Sequence, residues 1–255
     1  IRELAESVLG DILTVRVKTA WWWSVGMTWI LINLRGLDQM MYDMVDSPDG
    51  LHRLMSFIRD GMAAKISFIE ANGLLSLNND GTYVGSGGFG WTHELPKSGF
   101  EGKPHTCDMW GFAESQETIG VSPDMFEEFI FPYQLSLLEQ FGLNCYGCCE
   151  PIDRRWDVIK RIPNLRRVSV SPWSDSAAMA EKLQDRYIFS MKPNPSDLAG
   201  ESFDEDRIRR DLRKALDITK GCRVEVIMKD CHTIRNDPRR AVRWARIARE
   251  EAQKV

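Results

Sequence analysis

Hydrophobic and polar positions along the chain alternate between two periods. Val15 and Val17 alternate with Arg16 and Lys18, so 12–19 reads as a strand. Arg2 to Leu9 before it has a helical pattern, and Trp21 to Gly36 after it reads as a loop and then a helix. Leu54, Phe57, Ile58, Met62, Ile66 and Ile69 share one helical face between Pro48 and Asn72, where Ser47-Pro48-Asp49 signals the start and Gly73 the stop. A short apolar run, 74–77, reads as a second strand. Gly81 to Thr118 shows neither period. An irregular segment this long in a compact domain is commonly a lid or wall of a site.

From Ser122 on, the tempo is regular. Ser122-Pro123-Asp124 opens a helix whose pattern runs to Phe141, and strand 143–146 follows. A helix over 154–162 leads to strand 168–171, and a helix over 177–183 leads to strand 187–191. A helix over 204–219 leads to strand 223–228, and a last helix covers 238–253. Strand-then-helix units imply parallel strands joined by helical crossovers. Polar residues follow nearly every strand: Asn79-Asp80, Cys148 to Glu150, Trp173 to Asp175, Lys192 to Asn194, and Asp230 to His232. A doubly wound sheet and a (β/α)8 TIM-type barrel both fit. Function spread over all the strand ends favours the barrel, and no strand is followed by Gly-x-Gly-x-x-Gly. The expectation is one barrel domain over 1–255, with one or two barrel strands before Ile1.

Composition narrows the class. With 43% hydrophobic and 27% charged residues the chain reads as globular, and its net charge of −4 argues against nucleic-acid binding. The C-terminal arginines are interleaved with acids, as on a solvated helix face. No apolar run reaches the ~18 residues of a membrane span. Six cysteines, two of them adjacent, suit a reducing cytoplasm better than a disulfide framework.

The candidate chemistry centres on Leu143 to Asp153, where Cys145, Cys148 and Cys149 precede or adjoin Glu150. Lys229-Asp230-Cys231-His232 follows a later strand, and the two strand ends are expected to face one pocket. Cysteine and carboxylate at strand ends can hold a thiophilic metal, although free cysteine is also commonly a small buried hydrophobe. His232 is a candidate general acid, with a loop hydrogen bond as its alternative. Asp80 is a candidate base or cation holder, with a turn role beside Gly81 as its alternative. Trp110, Glu114, Gln116, Trp173, Lys192 and Asn194 are candidate substrate-binding residues, and Trp21 to Trp23 join them as flat apolar surfaces. His105 and Cys107 form a weaker His-x-Cys candidate.

Leu34-Arg35-Gly36-Leu37 with Asp43 and Asp46 to Asp49, the stretch Ser122 to Tyr133, and the order of strand ends together resemble the uroporphyrinogen decarboxylase superfamily. The resemblance covers most of the chain and implies a (β/α)8 barrel. That superfamily includes porphyrinogen decarboxylases and methyltransferases that serve methylated corrinoids. Its methyltransferase branch holds zinc through a His-x-Cys and a late cysteine. Here Tyr146-Gly147-Cys148 stands at the first place and Cys231 at the second, and Glu150 or Cys149 would replace the histidine. The implied zinc ligands are Cys148, Glu150 and Cys231. The implied activity moves a methyl group between a small methylated substrate or thiol and a corrinoid. Because the chain has no Asp-x-His-x-x-Gly pattern, that corrinoid would come on a partner protein. The alternatives are a metal-free decarboxylase and a non-catalytic tetrapyrrole- or corrinoid-binding protein.

Overall fold

The computed structural model describes residues 1–18 and 24–255, so Thr19 and Trp21 to Trp23 lie outside the described residues. The fold is α/β. Five parallel strands lie side by side in chain order: β3 (Trp110–Ala113), β4 (Leu143–Tyr146), β5 (Leu165–Val170), β6 (Ile188–Met191) and β7 (Arg223–Val226). A separate antiparallel hairpin joins β1 (Asp80–Gly85) to β2 (Gly88–Trp91). Helices α1 (Arg2–Leu9), α2 (Thr28–Arg35), α3 (Leu37–Asp46) and α4 (Pro48–Ala71) precede the strands. The crossovers are α5 (Pro123–Phe129) and α6 (Phe131–Leu138), α7 (Trp156–Ile159), α8 (Ser176–Leu183), and α9 (Ser196–Ala199) with α10 (Glu205–Ile218). Helix α11 (Arg239–Ala252) packs on α10. Among the described residues the sheet is open, with β3 and β7 as its edges.

Local chemistry explains the boundaries. Ser122, Asp175 and Asp204 cap α5, α8 and α10 by accepting the backbone N–H three residues on. The helical run after Ser122 is two helices, not one. Pro132 has no N–H to bond back to residue 128, and the chain breaks at Ile130, where φ is −124°.

Two of the expected strands do not form. Residues 12–18 are non-strand, and Ile12, Leu13 and Val17 are exposed. Residues 74–77 pair with no strand because a side chain takes over that edge of the sheet. The Asn78 amide donates to Trp110 O at 3.0 Å and accepts from Trp110 N at 2.9 Å. Conversely, the stretch read as irregular holds the hairpin and β3. Its glycines hide the strand signal, and Ser86 and Gly87 at the tip both take positive φ (48° and 77°), as a two-residue hairpin turn requires.

The two faces of the parallel sheet differ. Tyr146, Val168, Val170, Phe189 and Met191 join the main core with the helices. The alternate positions carry Phe112 and Cys145, then Arg167, Ser169, Ser190 and Glu225. The hairpin tip covers this second face. Ser86 Oγ lies 2.9 Å from Ser169 Oγ, and a Cβ on Gly85 would fall 2.4 Å from the Phe112 ring. No described helix is long and apolar enough to cross a membrane.

Candidate functional site

Strand β4 delivers the chain into a turn at Gly147 (φ 93°), and Cys148 to Glu150 follow. Glu150 is 1% exposed, and its carboxylate faces backbone. Its Oε1 accepts from Ser115 N and its Oε2 from Cys148 N, each at 2.8 Å. It therefore clamps the loop after β3 to the loop after β4. Burial raises its pKa, and the backbone donors work against that rise.

Cys148 and Cys149 face Lys229 and Asp230, which come just after β7. Lys229 Nζ donates to both sulfurs, at 3.2 Å each, and to Asp230 Oδ2 at 2.6 Å. The Cys149 thiol donates to Asp230 Oδ2 at 3.1 Å, and the two sulfurs stand 3.7 Å apart. The ammonium thus sits at the focus of two sulfurs and a carboxylate. The Cys149 hydrogen bond lowers the Cys148 pKa most; burial opposes it and Lys229 adds to it. The same sulfur contact, then burial, raises that of Cys149. Of the two thiols, Cys148 is therefore the one that ionises more readily. Burial would lower the Lys229 pKa, but Asp230 and the two sulfurs together raise it. Burial would raise that of Asp230, but hydrogen bonds from Lys229 and Cys149 bring it down.

Strands β5 and β6 lie between β4 and β7, so this cluster spans the end of the sheet. Beneath it runs a buried polar layer. Ser169 Oγ donates to Cys148 O at 3.1 Å. Arg167 Nε stands 2.8 Å from Glu225 Oε1, off the hydrogen-bond direction, and its guanidinium lies 5.0 Å from the Trp110 ring centroid. Ser190 donates to Glu225 and accepts from Lys192. Burial pulls the Lys192 pKa down to about 8.

The structure sorts the residues expected from sequence. Of the three implied zinc ligands, Cys148 alone belongs to the cluster. Glu150 is the backbone clamp. Cys231 Sγ points to Pro195 O (3.8 Å) and Lys229 O (3.7 Å), and it packs against the apolar cluster that contains Leu198, Ile208 and Trp244. His232 is exposed beside Asp230, whose pKa it helps to lower. Asp80 opens β1 and accepts from Lys18 (2.7 Å) and Thr82 (2.7 Å) of its own chain.

Glu114 follows β3 and is 3% exposed. Burial first, then Glu150 and Glu117, push its pKa up to about 8. Gln116 donates its backbone N–H to Glu114 Oε2 at 3.3 Å. Trp110 is buried in the sheet, whereas Trp173 is exposed after β5. Lys192 and Asn194 border a cavity of about 180 Å³ with Ser171, Ser176 and Asp197. His105 pairs with Glu70 at 2.8 Å, and Cys107 is exposed.

The sequence alone puts Lys229 and Asp230 at a strand end and assigns them no role. The signal was their position immediately past β7, on the rim that carries Cys148.

Zinc needs three or four converging donors. Among the described residues no group of three or more His, Cys, Asp or Glu side chains is disposed to hold a metal ion. At the cysteine cluster the reason is visible: the Lys229 ammonium fills the focus. Cys148, Glu150 and Cys231 as placed do not fit zinc. What the cluster can do is hold one sulfur as a thiolate beside a fixed positive charge. No family model, no curated protein and no solved structure matches the chain.

Proposed function

We propose that the chain is a methyltransferase of the uroporphyrinogen decarboxylase superfamily in which an ammonium, in the place of zinc, keeps the reacting sulfur ionised. The observation that carries this reading is the contact of Lys229 with Cys148 and Cys149 across the end of the sheet. Parallel strands in sequential order, with the ends of β4 and β7 meeting, support reading the sheet as an arc of a (β/α)8 barrel. Six free cysteines suit a reducing cytoplasm.

In this reading Cys148 sulfur attacks the methyl carbon of a small methylated donor. A sulfur–carbon bond forms, and the bond from the methyl group to its leaving group breaks, with the electron pair leaving on that group. Lys229 stays protonated and balances the thiolate before attack. Asp230 holds the ammonium in place, and Cys149 keeps its proton. A corrinoid on a partner protein would then take the methyl group from Cys148, the sulfur–carbon bond breaking with its electron pair returning to sulfur as the thiolate.

A metal-free decarboxylase is the second reading, favoured by Glu114. A carboxyl group protonated near neutral pH at a strand end can return a proton to carbon after CO2 leaves.

The two readings separate in chelator-treated protein assayed with an isotopically labelled methyl donor and a corrinoid acceptor. Under the first, Cys148→Ser and Lys229→Met abolish transfer and Cys231→Ala retains it. Under the second, no methyl transfer occurs, and decarboxylation of an electron-rich acid survives both changes but is lost in Glu114→Gln.

A further inference from the structure

The two adjacent thiols make a second kind of chemistry available. From the geometry we infer that Cys148 and Cys149 together form a bidentate site for a soft trivalent metalloid carrying one organic group, an organoarsenical of the RAs(OH)2 class. This goes beyond methyl transfer, although it uses the same sulfurs.

Three observations point there. First, the sulfur spacing is right. Two sulfurs bound at ~2.3 Å to one tetrahedral centre stand about 3.8 Å apart, and here they are 3.7 Å apart. A trivalent centre with a narrower angle asks the pair to close slightly. Second, the donor count selects the ligand. A divalent metal needs a third and a fourth donor, and no such set converges among the described residues. A trivalent centre that already carries one carbon is satisfied by two sulfurs. Third, the surroundings suit an organic substituent. Cys148 is 5% exposed and belongs to an apolar cluster with Val84, Trp110, Phe112 and Leu143, and Cys149 packs against it. Cys149 is the more open of the two and gives the point of entry.

The step balances without redox change. Each sulfur forms one As–S bond as one As–OH bond breaks. The two departing hydroxides leave as two waters, taking up the protons of the two thiols, with Lys229 or solvent supplying one wherever a sulfur is already ionised. Arsenic stays trivalent. The Lys229 hydrogen bonds to both sulfurs weaken, and the nucleophile is blocked.

The test uses phenylarsine oxide on the whole reduced chain, read by intact mass and by counting free thiols. The expected result is one arsenic per chain with loss of two of the six thiols, reversed by a small dithiol. Cys149→Ser and Cys148→Ser should each weaken uptake by about a hundredfold or more, because the second bond becomes intermolecular. Cys231→Ala and Cys107→Ala should bind as the wild type does. Circular dichroism on each variant separates lost binding from lost folding, and a paired Cys149→Ala variant repeats the test should the serine form be unstable. Loss of one thiol only, or uptake unchanged in a folded Cys149 variant, would overturn the site. Uptake needs no turnover, so a chain that binds arsenic but transfers no methyl group would refute the proposed function and leave this inference standing.

Discussion

Lys229 Nζ and Cys148 Sγ lie 3.2 Å apart although the strands that deliver them, β7 and β4, are separated by two others. Such a contact is made by loops leaning over the same end of one sheet. Its chemical content is a thiol held next to an ammonium that cannot move far, because Asp230 ties it down at 2.6 Å. Removing the ammonium should therefore cost Cys148 its reactivity before it costs the protein its fold. Lys229→Ala is expected to slow alkylation of Cys148 at neutral pH by about tenfold or more, with about tenfold corresponding to a one-unit rise in thiol pKa. Peptide mass spectrometry after timed exposure to iodoacetamide gives the number.

Glu150 should behave as a structural clamp. Glu150→Ala leaves Ser115 N and Cys148 N buried without acceptors. At about 1–3 kcal/mol per stranded donor, a loss of roughly 2–6 kcal/mol is expected in denaturant unfolding. Cys231→Ala, away from the cluster, should lose less. Equal effects of the two changes would argue for a shared ligand role.

Glu114 makes stability depend on pH. Its pKa in the folded chain is about 8 against an ordinary 4.5, so between those values the folded state binds more protons than the unfolded one. Stability therefore falls as pH rises from about 4.5 to about 8, by at most about 5 kcal/mol at 1.36 kcal/mol per unit. Glu114→Gln mimics the protonated acid and should flatten that slope while matching the wild type near pH 5. Unfolding midpoints at three pH values test it. A slope unchanged in the variant would remove Glu114 as its source.

The hairpin tip should control access to the sulfurs. A Cβ on Gly87 would lie 2.6 Å from Ile227 Cγ2, and its φ of 77° disfavours any side chain. Gly87→Ala is expected to lift the tip from Ile227 and Lys229 and to speed modification of Cys149. Unchanged Cys149 reactivity in the folded variant would show that the tip is no cover.

Much of the later chain could be read from sequence, and the reasons are physical. From Ser122 onward, capping residues and apolar runs agree with the fold they enter, so β4 to β7 and α8, α10 and α11 stand within a few residues of their expected places. The earlier part misleads where tertiary contacts override local signals. The β pattern of 12–18 has no strand to pair with. The edge that 74–77 would have filled is taken by the Asn78 side chain, and glycines at 85, 87, 88 and 90 conceal a hairpin because they are there for close packing. In the site, Cys148 was visible because it follows a strand. Its partner was not, because a lysine and an aspartate past a later strand acquire meaning only when the loops meet. Cys231 and Glu150 had the right residue types at the right strand ends, but neither side chain points at the cluster.

Under the proposed function, Lys229 adds to the Cys149 contact in favouring the ionised form of Cys148, with no metal needed. The most direct measurement is the pH dependence of Cys148 methylation by a small methylating reagent in chelator-treated protein, wild type beside Lys229→Ala. The expected midpoint lies below the ordinary cysteine value of about 8.5 in the wild type and rises in the variant. Coincident midpoints, or a wild-type midpoint that falls when stoichiometric zinc is returned, would contradict it.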